Sequence, residues 1–478
     1  MKKLFKTILF SVAVLGMTSC DFDTMNHQQI PIENAYQSVQ DVQNGMNGAY
    51  HALGTYRFLG RNVPAYGDFC AGVSLGSPST GHFYMQSSWV VTETNAELNE
   101  MWNYGFKVVD RATRTIKGGK EVLGNAETLH LTEEDIASVK LYMAQCHALK
   151  ALAYHYLVNI FGLPYMGNEN TLGLPIVKDE PVEVFAKVER ATVAKTYEQI
   201  KSDIQMAEEN MKVALDAELD APSAFYMNPA AIQALKARVY MYLEDYATAE
   251  TAAKKAIELK GKGDGNKDDV SPLNEIYLTM WTSLAITDED IFTIAKNESD
   301  NLSANALNTL YGSYEAELDP KVTDLFSDKD VRAKLLAKPS IGKYEGLSTS
   351  AATSNVPVFR KSEMSLILAE IYARQNKIDD AKDYLMYTAK RNEDMTIDDL
   401  PTTTEELLKF ISEERIREFA GEGHRFFDAR RMGDKITSSN LTDFDIKKFV
   451  FPIPAKEVNS GSGVVQNKGW EDNLPKGK

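Results

Sequence analysis

The sequence predicts a mainly α protein: paired helices repeat irregularly along the chain and are interrupted by irregular segments with short strands. Three observations carry this. Ala148–Tyr154, Ala234–Tyr240 and Leu368–Tyr372 share small and apolar residues at matching positions. The two later copies each place an alanine nine residues beyond their tyrosine, at Ala249 and Ala381. Two long stretches, 54–95 and 261–360, lack a sustained helical or strand period.

Small residues at fixed positions of paired helices let backbones approach closely, which is the logic of tetratricopeptide repeats. Asp245-Tyr246 and Lys377-Ile378-Asp379 supply the tight turns within two of the pairs. Hydrophobic residues make up 44% of the 478-residue chain, ample for a core. The formal net charge of −16 leaves no basic surplus to neutralise phosphates, which excludes nucleic acid as the partner.

From the N-terminus, Lys2, Lys3 and Lys6 precede a short apolar run at Ile8–Leu15 and then Gly16-Met17-Thr18-Ser19-Cys20. The run is too short to span a bilayer and fits a cleaved signal peptide over 1–19. Small residues before a lone cysteine resemble a bacterial lipoprotein box, with cleavage before Cys20 and lipid on its thiol. Residues 20–478 are expected to form a single domain. Cys70 and Cys146 have no spacing that argues for a disulfide, and the plain expectation for Cys146 is a buried thiol.

A helix is expected over Glu33–His51, and residues 54–95 then hold Tyr66, Asp68, His82, Phe83, Tyr84 and Trp89 among serines, threonines and glycines. Long irregular segments in compact proteins often carry function. Aromatic faces beside hydroxyls and amides suit a sugar ring or a peptide. Most single rings in such a loop serve local core, but the loop as a whole is expected to bind. Helices follow at Glu97–Lys117, through the repeat copies, and at Thr196–Met211. The Ile160–Pro164 stretch is a breaker, and Asn228-Pro229 is a start signal. The second irregular stretch has a turn cluster at Gly261–Asn266, one strand-like run at Ile291–Ala295, and Trp281 as a further candidate stacking ring.

Near the C-terminus, Leu407 and Ile411 share a helical face with Arg415, Glu418 and Glu422 at ~100° per residue. Charges on an apolar stripe are reasonable when they meet one another, or a partner such as Arg425 or Arg431, inside the fold. A structural ion-pair network is expected there, and no catalytic carboxylate pair. Gly421-Glu422-Gly423 would turn the chain so that His424-Arg425 and Phe426-Phe427 re-enter the body.

The segments E-E-R-I-R-E-F-A-G-E-G-H-R-F-F-D-A-R-R, F-P-I-P-A-K-E-V and Q-N-K-G-W, within 405–470, resemble the C-terminal signature of the SusD/RagB family. Arg415, Glu418, Glu422, His424, Arg425, Asp428 and Arg431 belong to this signature. The resemblance implies a SusD-like helical scaffold in a cell-surface, outer-membrane lipoprotein of Bacteroidetes. Asp21 and Asp23 after Cys20 resemble the export signal of such lipoproteins. It also implies a SusC-like TonB-dependent transporter as partner and an oligosaccharide as ligand, or a peptide in RagB-like members. Ligand-binding residues are expected among Tyr66, Asp68, His82, Phe83, Tyr84, Trp89 and Trp281. No cofactor and no metal site are expected. A nutrient-free assembly scaffold and a surface glycosidase are the competing classes. No catalytic motif such as G-x-S-x-G, H-E-x-x-H or a P-loop supports an enzyme.

Overall fold

Helices begin where a side chain can accept the first free backbone N–H groups. Ser38 caps α1 (Val39–Leu53) by accepting from Asp41, so α1 starts later than the expected Glu33. After α2 (Asn62–Phe69) and α3 (Ala96–Gly124), Thr132 and Asp135 form a reciprocal capping box on α4 (Glu133–Phe161). Helix α4 ends at the predicted Gly162 break. Thr192 caps α5 (Val193–Asp216), Asn228 with Pro229 opens α6 (Pro229–Tyr242), and Asp245 caps α7 (Tyr246–Lys260). The pair α8 (Lys361–Arg374) and α9 (Ile378–Ala389) leads to α10 (Thr404–Phe419), capped by Thr403, and to α11 (Arg425–Met432).

The computed structural model describes residues 35–183, 186–261, 274–336, 341–344, 353–439 and 444–475. The expected signal peptide, Cys20, Asp21, Asp23 and most of the 261–266 turn cluster lie outside the described residues.

The helices pack as sequential antiparallel neighbours: α3 on α4, α4 on α5, α6 on α7 and α8 on α9, with α8 also against α7 and α10. Ala148, Ala151, Ala234, Ala237, Ala249, Ala253, Ala369 and Ala381 are all buried at these contacts. The matched small residues mark the close approaches of a tetratricopeptide-like scaffold, as their spacing predicts. Strands are short. β1 (Ser74–Leu75) pairs antiparallel with β5 (Glu317–Leu318), β2 (Leu172–Pro175) with β3 (Arg190–Thr192), and β4 (Asp290–Ile294) with β6 (Val356–Arg360). The predicted strand at 291–295 is present as β4. Its partner β6 lies far along the chain, where the local pattern does not announce it. Cys70 and Cys146 are both buried free thiols.

The charged stripe on α10 is interior. Glu418 is fully buried, and its carboxylate meets Arg360 at 2.9 Å, Arg332 at 3.2 Å and Arg391 at 3.6 Å. Glu422 meets Lys343 at 2.8 Å and Arg360 at 2.9 Å. Glu289 joins through Arg391 at 3.0 Å and Arg360 at 3.1 Å, and Glu414 through Arg332 and Arg417, both at 2.8 Å. Burial alone would raise the Glu418 carboxyl; Arg391, Arg360 and Arg332 instead hold it far below the usual carboxylate range.

The expected network therefore exists, but two of its proposed partners are corrected. Arg425 pairs with Asp434 at 2.8 Å near the surface, and neither it nor Arg431 reaches Glu418 or Glu422. The cations on those glutamates come from the irregular segment 261–360 and from the end of α9, distances in sequence that helical phase cannot reveal. Arg415 binds Asp428 at 2.7 Å, and Asp428 in turn binds Arg431 at 3.0 Å.

Gly421 and Gly423, both with φ above +79° (86° and 80°), turn the chain after α10. A Cβ on Gly67 would lie 1.9 Å from the Gly423 carbonyl oxygen, so this turn packs directly on α2 only because both residues are glycine.

Arg415→Leu leaves Asp428 buried with one guanidinium fewer and is expected to cost about 3 kcal/mol of folding stability. Denaturant-midpoint measurements check this; an unchanged midpoint would show that the Asp428 charge does not depend on Arg415.

Candidate functional site

The two irregular segments meet. Ser74 pairs with Leu318 and Leu75 with Glu317 in the β1–β5 ladder, and Asp319 donates its N–H to the Val73 carbonyl at 2.8 Å. Beyond the ladder, residues 76–84 fold over 311–315. The Gly76 N–H donates to Ser87 Oγ at 3.0 Å, and a Cβ on Gly76 would sit 2.3 Å from the Tyr84 nitrogen. Thr80 donates to the Tyr314 carbonyl at 2.8 Å, and Glu315 accepts from Ser77 at 3.1 Å and also from Ser79. These two bonds hold the Glu315 carboxyl below its ordinary value. His82 lies flat on Tyr314, with centroids 3.7 Å apart and planes 12° apart, and both rings are half-buried.

Next to this stack, Arg61 donates to Asn305 Oδ1 at 3.0 Å and covers Tyr56 at 4.8 Å and Phe83 at 5.5 Å. Arg57 lies over Tyr56 at 4.3 Å and over Tyr104 at 5.3 Å, and its Nε meets Glu100 at 3.2 Å. Tyr84, Met85 and Val90 are exposed. Glu315 also borders a groove of about 440 Å³ lined by Gly312, Ala316, Leu318, Pro320 and Leu336. The result is a face of flat rings, guanidiniums, hydroxyls and carboxylates, suited to stacking with hydrogen bonding.

Of the residues predicted for ligand binding, only His82 and Tyr84 lie on this face. Tyr66, Phe83, Trp89 and Trp281 are interior, each at most 4% exposed. Phe83 takes a left-handed φ of 53°, and its ring packs 5.2 Å from Phe69. Trp89 is enclosed by Phe449 and Phe451, at 4.8 and 6.0 Å. Tyr66 packs on Phe451 at 5.4 Å, so the C-terminal F-V-F-P-I-P segment covers much of the loop that the sequence leaves open. Trp281 lies under Lys343 and Arg360 in the ion network. These four rings are core and cannot stack on a ligand.

Asp68 is also buried and accepts from Gly421 N–H at 2.7 Å, beside Lys343 and Glu422 of the network and near Tyr311 and Tyr344. It is a structural latch between α2 and the turn after α10. Sequence reading passed over Tyr56, Arg57, Arg61, Tyr104 and Glu315 and gave Tyr314 no role. The available signal was polarity: His82, Tyr84 and Tyr314 stand among Ser, Thr and Gly.

A cleft of about 550 Å³ lies against α10 and is lined by Lys321, Lys409, Glu413, Ile416 and Arg425. Arg425 there is already paired with Asp434. No helix among the described residues is long and apolar enough to cross a membrane.

Burial pushes Asp68 up to about 8 from an ordinary 3.8, against the downward pull of the Gly423 and Gly421 N–H bonds. Between those values the unfolded chain has released the proton that the folded chain keeps. This contribution is therefore fully present below the ordinary value and is lost as pH rises toward 8. Asp68→Asn is expected to gain melting temperature over the wild type at about pH 8 relative to about pH 5. Equal differences at both pH values would show that Asp68 is ionised in the folded protein.

Comparison with known proteins agrees with this architecture. Residues 333–470 match the SusD family, and residues 75–241 match the family described as starch-binding associating with outer membrane. SusD-like protein P38 of Formosa agariphila is 22% identical over 98% of this chain and 97% of its own length. SusD-like protein P2 of the same organism, also 22% identical, aligns with 42% of this chain and only 37% of its own length. Among solved structures, a putative sugar binding protein from Bacteroides vulgatus superposes with a TM-score of 0.79 at 24% identity, covering 91% of this chain and 99% of that one. A laminarin binding SusD-like protein superposes with a TM-score of 0.69 at 19% identity, covering 90% and 99%. Two SusD-type family models thus match this chain, over residues 75–241 and 333–470, the second containing the charged turn after α10, and the chain is SusD-like.

Proposed function

We propose that this protein captures oligosaccharides at the outer-membrane surface through the His82–Tyr314 face and hands them to a SusC-like TonB-dependent transporter, altering no bonds. The observation that carries this reading is the half-buried His82–Tyr314 stack, which joins the two irregular segments amid exposed Glu315 and the Ser79 hydroxyl. Flat rings beside fixed hydroxyl and carboxylate groups recognise a sugar's apolar face and its hydroxyls together. The sugar-binding and laminarin-binding descriptions of similarly folded proteins support the ligand class. Lipid on Cys20 tethers the protein, raising its effective concentration near the transporter. Contacts of modest strength suit a protein that must release what it captures.

Affinity electrophoresis through gels of soluble glucans and other polysaccharides tests the reading. Retardation without hydrolysis is expected for at least one glycan, and the double substitution of His82 and Tyr314 by alanine should weaken it about tenfold, ~1.4 kcal/mol. Retardation by no glycan, or retardation unchanged in the double variant, would contradict the assignment. Separately, Cys20→Ala is expected to leave retardation intact and release the protein from membranes. Continued sedimentation with membranes would place the anchor elsewhere.

A further inference from the structure

Two neighbouring groups of charged side chains in the C-terminal half differ in balance. In the network around Glu418, the cations Arg332, Arg360, Arg391, Arg417 and Lys343 are matched one for one by Asp330, Glu289, Glu414, Glu418 and Glu422. The group beside it is not matched. Among the described residues, buried Arg415, Arg430 and Arg431 and the partly exposed Arg374 share Glu370 and Asp428. Glu370 is taken by Arg374 at 2.9 Å and Arg431 at 2.8 Å, and Asp428 by Arg415 and Arg431.

Arg430 meets no carboxylate among the described residues, although it is 3% exposed. It donates from Nη1 to the Asn159 carbonyl and from Nη2 to the Gly162 and Phe449 carbonyls, at 2.9 and 3.1 Å. Asn159 and Gly162 flank the C-terminal end of α4, where carbonyls lack helical partners, so Arg430 closes that end. Closing it uses two of the three guanidinium nitrogens. Nε is buried without a hydrogen-bond partner. Burial also lowers the guanidinium to about 10, with no acid nearby to reverse the shift.

Arg430 lines a pocket of about 70 Å³, together with Asn159, Tyr165, Tyr242, Arg374, Arg431 and Glu370, whose carboxylate is taken by Arg374 and Arg431. Exposed Glu244 and Lys447 stand on its rim, one of each sign. The space admits one oxyanion group or a few waters but not a sugar ring. A surplus of desolvated guanidinium charge with an open approach is the setting in which an oxyanion gains most from binding.

We propose that this pocket binds a single carboxylate or sulfate group of a small ligand, balancing the unmatched arginines. A uronic acid or a sulfated sugar are the two sources that offer such a group beside a ring able to rest on the tyrosine rim. The pocket lies on α4, α6, α8 and α11, elements that do not form the His82 face, and the proposal stands independently of glycan capture there.

Two measurements on the full mature chain test it. Titration calorimetry with sodium D-glucuronate, at ionic strength held constant with chloride, should give a saturable heat with a Kd of roughly 1 mM. D-Glucose should give none. Crystals soaked in sodium selenate should show an anomalous selenium peak within hydrogen-bond reach of Arg430 or Arg431. Arg430→Lys keeps a donor for the α4 carbonyls, and its folding is checked by circular dichroism. In that variant the glucuronate heat should fall at least severalfold, as it should in Arg374→Gln, which leaves Glu370 paired with Arg431. Glucuronate binding alone identifies a carboxylate site and a selenate peak alone a sulfate site; either supports the proposal. Neither signal with folded wild type, or glucose binding as strongly as glucuronate, overturns it and leaves Arg430 as a helix cap only.

Discussion

The contact between Glu418 and three guanidiniums is the constraint on which the rest of the structure depends. Glu418 sits near the end of α10; Arg332 and Arg360 come from the second irregular segment, and Arg391 from the end of α9. One buried carboxylate thus ties the helical repeats to the described parts of the second irregular segment, where regular structure is short strands and short helical turns. A buried ion pair is not by itself a large source of stability, because desolvation offsets most of the attraction. Its effect is specificity: any other placement of the segment leaves unmatched charge in the interior. Tyr277 and Trp281 pack on the same guanidiniums, Tyr277 at 3.9 Å from Arg391, so the apolar and ionic parts of this core share one geometry.

From that anchor the site follows. Fixing Arg332, Lys343 and Arg360 against α10 and the turn after it positions the neighbouring 311–318 stretch, whose β5 strand holds β1 and thereby the 76–84 loop. Asp68 and the glycine turn lock the other side, where α2 contacts the backbone of Gly423. The His82–Tyr314 stack therefore joins two segments whose bases are hydrogen-bonded to one another and to the turn after α10. The helices contribute rigidity and a broad outer surface; the irregular segments contribute the chemistry.

Much of the scaffold was legible because it is written locally. Ala148, Ala234 and Ala369 mark close helix contacts by their spacing, and Asn228-Pro229 and Asp245 mark helix starts by chemistry that acts within a single turn. The buried stripe of Arg415, Glu418 and Glu422 was legible from helical phase. Its partners were not, since Arg332, Lys343 and Arg360 lie some 60 to 90 residues away in the chain and follow no period. The same limit misled the choice of rings. Trp89 and Tyr66 sit in a loop, and nothing near them in sequence announces that Phe449 and Phe451 close over it. Tyr84 is exposed, and His82 is half-buried, covered on one face by Tyr314.

The account's central claim is that a ligand is held where the two irregular segments meet. Amide hydrogen exchange with and without a soluble laminarin-type glucan measures this directly. The account predicts ligand-dependent protection concentrated in residues 76–85 and 303–316, with the α6–α7 and α8–α9 pairs unchanged. Protection confined to the helical pairs, with those two stretches exchanging as fast as in the free protein, would contradict it.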